Sequence, residues 1–339
     1  MSSSNTPLIV GQGDFQFEAQ PHWAQWPDGK APREVVGADV DSQKRVYIFT
    51  RDESPLMVFA ADGSFLKTWG SGKFVRPHGL FVAPDDTVFC TDDYGHAVYR
   101  FTPDGEKLMC LGTPGQGSLT GVDNFDYRTM KQTAGPFNAP TNVAMSPEGD
   151  IYVSDGYCNA RIHKFNPAGE WTLSWGEMGN GPSGFAVPHD VAVNSQGTVF
   201  VADRENTRVQ LFEPDGTFIA AWTDVARPCQ VVFDADDNVY VSELGFQIGM
   251  YVGNAYPHCE QVPARVSIFD PQGKLLSRWG AGNYGTHGEF FAAHGIVIDS
   301  AGDLYVGEVR PGMYGAKTPP PPEKCAPADQ PVLQKFVRQ

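Results

Sequence analysis

Apolar and polar residues alternate in short runs along most of the chain, separated by turns rich in Gly, Asp and Asn. One pair of runs recurs six times, as VGADVDSQKRVYIFTR, RPHGLFVAPDDTVFCTD, APTNVAMSPEGDIYVSD, VPHDVAVNSQGTVFVAD, RPCQVVFDADDNVYVSE and AAHGIVIDSAGDLYVGE. Two such runs around a polar turn predict an antiparallel hairpin. A second hairpin follows most copies, for example VQLFEPDGTFIAAW. Four strands per repeat are typical of a propeller blade, so the pattern predicts an all-β, six-bladed β-propeller with four-stranded antiparallel blades.

The repeats also predict where each blade lies and how the ring closes. We expect residues 1–339 to form a single domain, with blades at approximately 35–70, 76–112, 139–176, 187–222, 227–280 and 292–338. The last blade ends in VLQKFVRQ and lacks a fourth strand, whereas the strand-like run DFQFEAQ near 14–19 has no partner. This N-terminal strand is expected to complete blade six, because an unpaired strand edge promotes aggregation.

Composition narrows the classes of partner. Asp and Glu outnumber Lys and Arg by 40 to 25, which disfavours nucleic acid and anionic membrane surfaces and leaves a small-molecule substrate. The chain starts without a signal-like segment and contains no run long enough to span a membrane, so we expect a cytoplasmic protein. Six cysteines are too few for a disulfide scaffold, although a pairing of Cys259 with Cys325 between two long loops stays open.

Three histidines occupy one position of the repeat in alternate blades. His78, His189 and His294 belong to blades two, four and six, each 14 residues before the end of the second strand. The first strand of a blade lines the central channel, and alternate blades are about 120° apart, so three imidazoles should face one axis. Three imidazoles with an open fourth position suit catalytic zinc, and imidazole also suits copper, iron or nickel. The alternative is a trio that is hydrogen-bonded to backbone and water.

The residue 14 positions after the histidine position is acidic in five blades. One carboxylate per blade favours a scaffold role, in which the side chain accepts backbone hydrogen bonds. Arg51 is the exception in blade one and places a guanidinium at the same mouth.

Three segments interrupt the repeat, namely 113–138, 244–263 and 309–331. The strand directions place all three on the histidine face, where they would shape a pocket or simply decorate the surface.

Specific motifs resemble a known family. The segments VSDGYCNARI, VPHDVAV and VADRENTRVQLF are similar to those of the peptidyl-α-hydroxyglycine α-amidating lyases, which are NHL-type propellers, and the resemblance covers roughly 35–310. It implies that the three histidines bind catalytic zinc. It also implies that Tyr157 is the catalytic tyrosine and that Arg51 and Arg204 are active-site arginines.

The resemblance further implies a reaction, the cleavage of a carbinolamide into an amide and an aldehyde-type product such as glyoxylate. Zinc would act as a Lewis acid on a substrate oxygen. Tyr157 would take the hydroxyl proton with help from nearby positive charge, because a phenol ordinarily has a pKa of about 10. Arg51 or Arg204 would hold the substrate carboxylate through a bidentate pair.

Several positions depart from the family pattern. Ala292, Ala293 and Gly295 replace the Met, Pro and Asp around the third histidine, so the carboxylate of the family's structural calcium site is missing. Main-chain oxygens of two residues, Ala38 and Leu80, still match calcium ligands. Asn138 replaces the disulfide partner of Cys158, and Asp190 follows the second histidine. These changes predict that the substrate is not a neuropeptide precursor.

Two other functions fit a six-bladed propeller. A metal-dependent hydrolase of lactones or esters is one, although such enzymes usually hold calcium through carboxylate and Asn ligands, and three imidazoles do not suit a hard cation. A non-enzymatic NHL binding module for protein or RNA is the other. The net charge of −15 disfavours RNA, and the histidine trio would have no purpose in such a module.

Overall fold

A computed structural model describes residues 7–20, 22–246, 261–283, 285–310 and 330–339. These residues form six antiparallel sheets, each the size of one repeat, and the first strands of neighbouring sheets pack side by side around a central channel. The six-bladed, all-β propeller predicted from the repeats is therefore confirmed. No helix in these ranges is long and apolar enough to cross a membrane.

The first three blades each contain four strands. Blade one consists of β3 (Val35–Val40), β4 (Val46–Thr50), β5 (Leu56–Phe59) and β6 (Phe65–Trp69). Blade two consists of β7 (Pro77–Val82), β8 (Val88–Asp92), β9 (Ala97–Phe101) and β10 (Lys107–Gly112). Blade three consists of β11 (Pro140–Met145), β12 (Ile151–Asp155), β13 (Arg161–Phe165) and β14 (Trp171–Trp175).

Blades four and five repeat this arrangement, and blade six recruits the N-terminus. Blade four contains β17 (Pro188–Val193), β18 (Val199–Asp203), β19 (Arg208–Phe212) and β20 (Phe218–Trp222). Blade five contains β21 (Pro228–Phe233), β22 (Val239–Glu243), β23 (Arg265–Phe269) and β24 (Leu275–Trp279). Blade six contains β25 (Ala293–Ile298), β26 (Leu304–Glu308), β27 (Leu333–Arg338), β2 (Phe15–Gln20) and β1 (Ile9–Gln12). A short parallel pair, β15 (Glu177–Met178) and β16 (Gly184–Phe185), and three 3₁₀ turns, Pro27–Gly29, Tyr127–Thr129 and Arg204–Asn206, complete the described structure.

The N-terminal strand closes the ring, as predicted. Strand β2 pairs antiparallel with β27, so the first and last parts of the chain share one sheet. Strand β1 is a fifth strand that the repeat pattern did not predict, because its four residues are too few to show a periodicity. It is also fixed to blade five, since the Gln12 N–H donates to the Ser277 Oγ over 2.9 Å.

The hydrophobic core is divided among the spaces between neighbouring blades. Six clusters of buried apolar residues each combine side chains from two adjacent blades, including blades six and one. Both faces of each inner strand are therefore buried, which explains why these strands read as nearly continuous apolar runs. The arrangement holds the six first strands, and the residues at their ends, in fixed positions around the channel.

The tryptophans that close several blades have a packing role. Trp175 and Trp222 lie against Gly216 and Gly273, each in the last turn of the following blade. Both glycines have φ of +85°, and an added Cβ would approach the indole rings to 2.9 and 2.6 Å. A side chain at either position would combine backbone strain with a clash between blades.

Replacing a core residue of the closing strand should destabilise the whole ring. Phe17 of β2 is fully buried between blades five and six, so Phe17→Ala is expected to lower the free energy of unfolding by about 3–5 kcal/mol. Urea denaturation followed by circular dichroism measures the change. Ile9→Ala in β1 is the control, since this side chain is 44% exposed. Equal effects of the two substitutions would contradict closure by β2.

Two predictions concern residues beyond these ranges. Cys259 and Cys325, and most of the segments 244–263 and 309–331, lie outside the described residues. The four described cysteines, Cys90, Cys110, Cys158 and Cys229, are free thiols.

Candidate metal centre and active site

The three histidines converge at one mouth of the channel. In each of their blades, the first strand begins with a residue that pairs with the acidic residue at the end of the second strand, and the histidine comes next in the sequence. The pairing register of the two strands shifts at this point. Such a bulge turns a side chain away from the regular pleat. His78, His189 and His294 are 2–5% exposed, their ring centroids are 4.7–5.2 Å apart, and one ligand atom from each lies within 4.8 Å of the others.

The backbone of the next blade fixes the tautomer of each histidine. The Nδ1 atoms lie 2.7–2.8 Å from main-chain carbonyl oxygens, in the pairs His78 to Thr141, His189 to Cys229 and His294 to Val36. A carbonyl oxygen can only accept, so each Nδ1 donates a hydrogen and each Nε2 keeps its lone pair. Metal-bound histidines in proteins are commonly held in this way.

Burial keeps these imidazoles neutral. It lowers the pKa of His78 and His189 well below the ordinary value, and lowers that of His294 to about 3. Neighbouring histidines and the positive charges of Arg51 and Arg204 act in the same direction. Neutral imidazole is the form that binds a metal ion.

Tyr157 lies directly over the trio. It follows β12, and its hydroxyl is 2.8 Å from Nε2 of His78 and 3.1 Å from Nε2 of His189. The single phenol hydrogen can satisfy only one of these two lone pairs. Two buried lone pairs that compete for one hydrogen suit a cation with nitrogen ligands, so the residues present fit a transition metal. The alternative predicted for the trio, hydrogen bonds to backbone and water, accounts for the Nδ1 atoms through the backbone and would require water at the converging Nε2 atoms.

Arg204 reaches the same hydroxyl from blade four. Its NH1 lies 3.4 Å from the Tyr157 hydroxyl, and its guanidinium lies over the Tyr157 ring at 5.4 Å. Glu205, which is 5% exposed, accepts from both Arg204 and Arg227 at 2.7 Å. Burial alone would raise the pKa of Glu205, but these two arginines hold it below its usual range. One carboxylate between two guanidinium groups leaves a net positive charge beside the trio.

Arg51 lies at the mouth in blade one, where the repeat spacing places it. Its Nε donates to the Pro77 carbonyl over 3.1 Å, and NH1 donates to Glu34 over 3.0 Å. Glu34 is 1% exposed and also accepts from the Arg310 N–H. Glu34 and Glu205, which precede the first blade and follow Arg204, were not predicted from the repeat pattern. The only available signal was their position beside a predicted arginine or strand.

The five acidic residues that end the second strands have the predicted scaffold role. Each accepts backbone N–H groups from the segment that leads into its own blade, for example Asp92 from Val75 and Arg76 at 2.8 Å. The other pairs are Asp155 with Asn138, Asp203 with Ala186, Glu243 with Ala226, and Glu308 with Phe291 and Ala292. These bonds fix the approach to each first strand, and thereby the histidine that follows.

The positions proposed for calcium lie deeper in the channel. Ala38 and Leu80 line a cavity of about 200 Å³ that also contains Asp190 and Asn142. An added Cβ at Gly295 would lie 3.0 Å from the Cα of Gly37, so close packing accounts for the missing side chain there. Asp190 accepts from the Asn142 Nδ2 and the Val231 N–H at 2.6 and 2.7 Å. Because Gly295 supplies no carboxylate after His294, the family's calcium site is incomplete in this chain, and calcium stays a prediction.

The segment 113–138 lies on the histidine face, as expected. Asn138 holds it by donating from Nδ2 to the Ser118 carbonyl and the Thr120 hydroxyl at 2.9 and 2.8 Å. Cys158 lies beside it as a buried thiol, and its N–H donates to the Asn138 carbonyl over 3.1 Å. An amide network therefore fixes this loop where the family uses a disulfide.

Sequence comparisons find NHL repeats in the chain and similarity to NHL-repeat proteins. A family model described as the NHL repeat matches residues 137–165 and 185–212. The chain is 32% identical over 281 residues to peptidyl-α-hydroxyglycine α-amidating lyase 1 of Drosophila melanogaster, with 77% of this chain and 48% of the lyase covered. It is 34% identical over 219 residues to NHL repeat-containing protein 3 of Homo sapiens, with 59% and 58% covered. The chain thus spans about half the length of these curated relatives.

Solved structures share the fold at low sequence identity. A gluconolactonase from Xanthomonas campestris superposes with a TM-score of 0.59 and 14% identity, covering 99% of this chain and 96% of the other. A streptogramin B lyase gives a TM-score of 0.54 and 12% identity, covering 98% and 93%. At such identities the likeness concerns the propeller alone.

Proposed function

From this NHL-repeat propeller, which resembles the amidating lyases, we propose a zinc-dependent lyase that cleaves a carbinolamide of the α-hydroxyglycine type. The observation that carries the proposal is the convergence of three neutral imidazoles with Nε2 lone pairs, two of which compete for the single hydrogen of the Tyr157 hydroxyl. Three nitrogen ligands with an open side are typical of catalytic zinc. The lyase relatives support the same reaction class.

The reaction converts an N-acyl-α-hydroxyglycine into a primary amide and glyoxylate. The hydroxyl loses its proton, the carbon–nitrogen bond breaks, and the amide nitrogen gains a proton, so no other reactant is required. When bound, zinc would supply a Lewis acid that stabilises negative charge on a substrate oxygen. Tyr157 is the proton acceptor in this proposal, because its hydroxyl lies above the open side of the trio.

Arg204 and Arg51 are the two candidates for binding the substrate carboxylate. Both guanidinium groups are close enough to lower the pKa of His294. Arg204 also contacts the Tyr157 hydroxyl, which supports a role for it close to the proposed base. Glu205 and Glu34 hold these arginines in place, and a fixed guanidinium binds a carboxylate at a smaller entropic cost than a mobile one.

The three nitrogen ligand atoms at the mouth also argue against the two alternative functions, a calcium-dependent hydrolase and a binding module. Hydrolases that use a channel-bound calcium ion need several oxygen ligands, whereas the described mouth offers three nitrogen atoms. A binding module has no need for three buried imidazoles with a fixed tautomer, because leaving their Nε2 atoms partly unsatisfied costs stability.

The purified, zinc-loaded protein is expected to release glyoxylate and benzamide in equal amounts from α-hydroxyhippurate. A coupled glyoxylate assay and chromatography of benzamide measure the two products. Parallel incubation with a lactone and an aryl ester tests the hydrolase alternative. Hydrolysis of either compound without glyoxylate release would overturn the lyase proposal in favour of a hydrolase, and inactivity on all three would leave a binding role.

A further inference from the structure

A continuous row of aromatic rings and one guanidinium runs from the trio to the rim of the mouth. Tyr157 contacts His78 with a centroid distance of 5.0 Å. The Arg76 guanidinium lies 5.8 Å from the Tyr157 ring and 4.5 Å from the Tyr94 ring. Tyr94 in turn packs against Phe125, with centroids 4.3 Å apart and the ring planes tilted by 35°. We call Arg76, Tyr94 and Phe125 the aromatic wall.

The inner part of the wall is held rigidly by blade two. The carboxylate of Asp92 accepts the N–H groups of Val75, Arg76 and Gly95, so it fixes the backbone on both sides of the wall. Asp93, which is fully buried, binds the Arg76 guanidinium at 2.9 Å. Rigid groups lose little entropy when a ligand stacks on them.

Phe125 is presented at the rim in an unusual backbone conformation. Asn124 and Phe125 have φ of +50° and +55° and form the centre of a tight turn, closed by the Asp126 N–H to the Asp123 carbonyl at 3.0 Å. Turns with two positive φ values favour glycine at the second central position. A phenylalanine that occupies this position with 44% exposure adds nothing to a core, and such strain is typical of functional sites.

We propose that the aromatic wall selects substrates with a flat aromatic N-acyl group, which stacks along Tyr94 and Phe125 while the hydroxyglycine end lies at the histidines. This inference rests on the proposed lyase function for the position of the reacting end. The wall offers π faces and the face of a planar guanidinium, which are surfaces for stacking. Recognition of an acidic acyl group is disfavoured, because Asp93 already pairs with Arg76.

Binding of unreactive analogues tests the wall separately from turnover. N-benzoylglycine, N-acetylglycine and N-succinylglycine are titrated into zinc-loaded protein by calorimetry at about pH 8. Burial raises the pKa of Asp93 to about 7, against the opposing charge of Arg76, so its carboxylate is ionised under these conditions. We expect N-benzoylglycine to bind about tenfold more tightly than the other two, as one aromatic stacking contact predicts.

Two alanine variants test whether the aromatic wall causes the preference for N-benzoylglycine. Phe125→Ala is expected to weaken N-benzoylglycine about fivefold and N-acetylglycine less than twofold. Leu119→Ala is the matched control, because Leu119 lies on the same loop with 83% exposure and outside the wall. Equal binding of the analogues, absence of binding, a preference for N-succinylglycine, or an unchanged preference in Phe125→Ala would overturn the inference.

The two proposals fail in different ways. Selective binding of the benzoyl analogue without glyoxylate release from α-hydroxyhippurate would support the wall and overturn the lyase. Glyoxylate release without aromatic preference would support the lyase and overturn the wall.

Discussion

His189→Ala is expected to remove both the bound metal and the lyase activity. Elemental analysis of the purified protein should find about one zinc per chain, and less than a tenth of that in the variant. The reason is geometric, because His78 and His294 alone supply only two ligands from a site that positions three. Added zinc should raise the melting temperature of the wild-type protein but not that of the variant, since a ligand stabilises only the state that binds it.

His22→Ala is the control for this experiment. His22 is an exposed imidazole near the N-terminal strand, so its loss changes the histidine count without touching the trio. Circular dichroism of His189→Ala separates the loss of the metal from unfolding. A folded His189→Ala protein that retains one zinc per chain would contradict the tripod, and a wild-type protein that binds no transition metal would contradict the mechanism as well.

Tyr157→Phe is expected to lower kcat by roughly 10²–10⁴-fold, the range typical for the loss of a general base. The substitution removes one oxygen atom and leaves the ring between Arg76 and Arg204, so substrate binding and stability should change little. KM for α-hydroxyhippurate should therefore stay within about threefold of the wild-type value if Tyr157 acts mainly in the transition state.

Tyr99→Phe provides the matched control. Tyr99 lies in the third strand of blade two, packed against Phe74 and Phe101, away from the histidines. Zinc content should be unchanged in both variants. Full activity of a zinc-loaded Tyr157→Phe protein would show that another group accepts the proton, whereas a loss of zinc would show that the hydroxyl supports the metal.

The fold could be predicted from the chain because the blade is a local unit. Each hairpin is encoded by about 17 consecutive residues, and the register of its two strands follows from the turn between two apolar runs. The same register placed His78, His189, His294 and Arg51 at one mouth without any knowledge of side-chain contacts. Strand β1 was not predicted, because its four residues are too few to show a periodicity.

The supporting residues of the site were not predictable in this way. Glu205 and Glu34 resemble surface acids in the sequence and become important only because the fold buries them against arginines. Arg76 and Tyr94 belong to the repeat and its turn, and nothing in the pattern distinguishes them from structural positions. The contact of Arg76 with Tyr157 arises between blades two and three, through packing that the repeat does not encode.

The propeller, the alternate placement of three histidines and the arginine in place of a carboxylate at the same mouth could all be predicted from the chain alone. These features follow from a periodicity in which equivalent positions of every blade meet around one axis. The chemical state of the trio could not be predicted in this way, because it depends on contacts between blades. Each Nδ1 donates to a carbonyl of the next blade, from residues 63, 40 and 258 positions away, and burial keeps every ring neutral. Tautomer and charge depend on these distant neighbours, which exist only once the ring has closed.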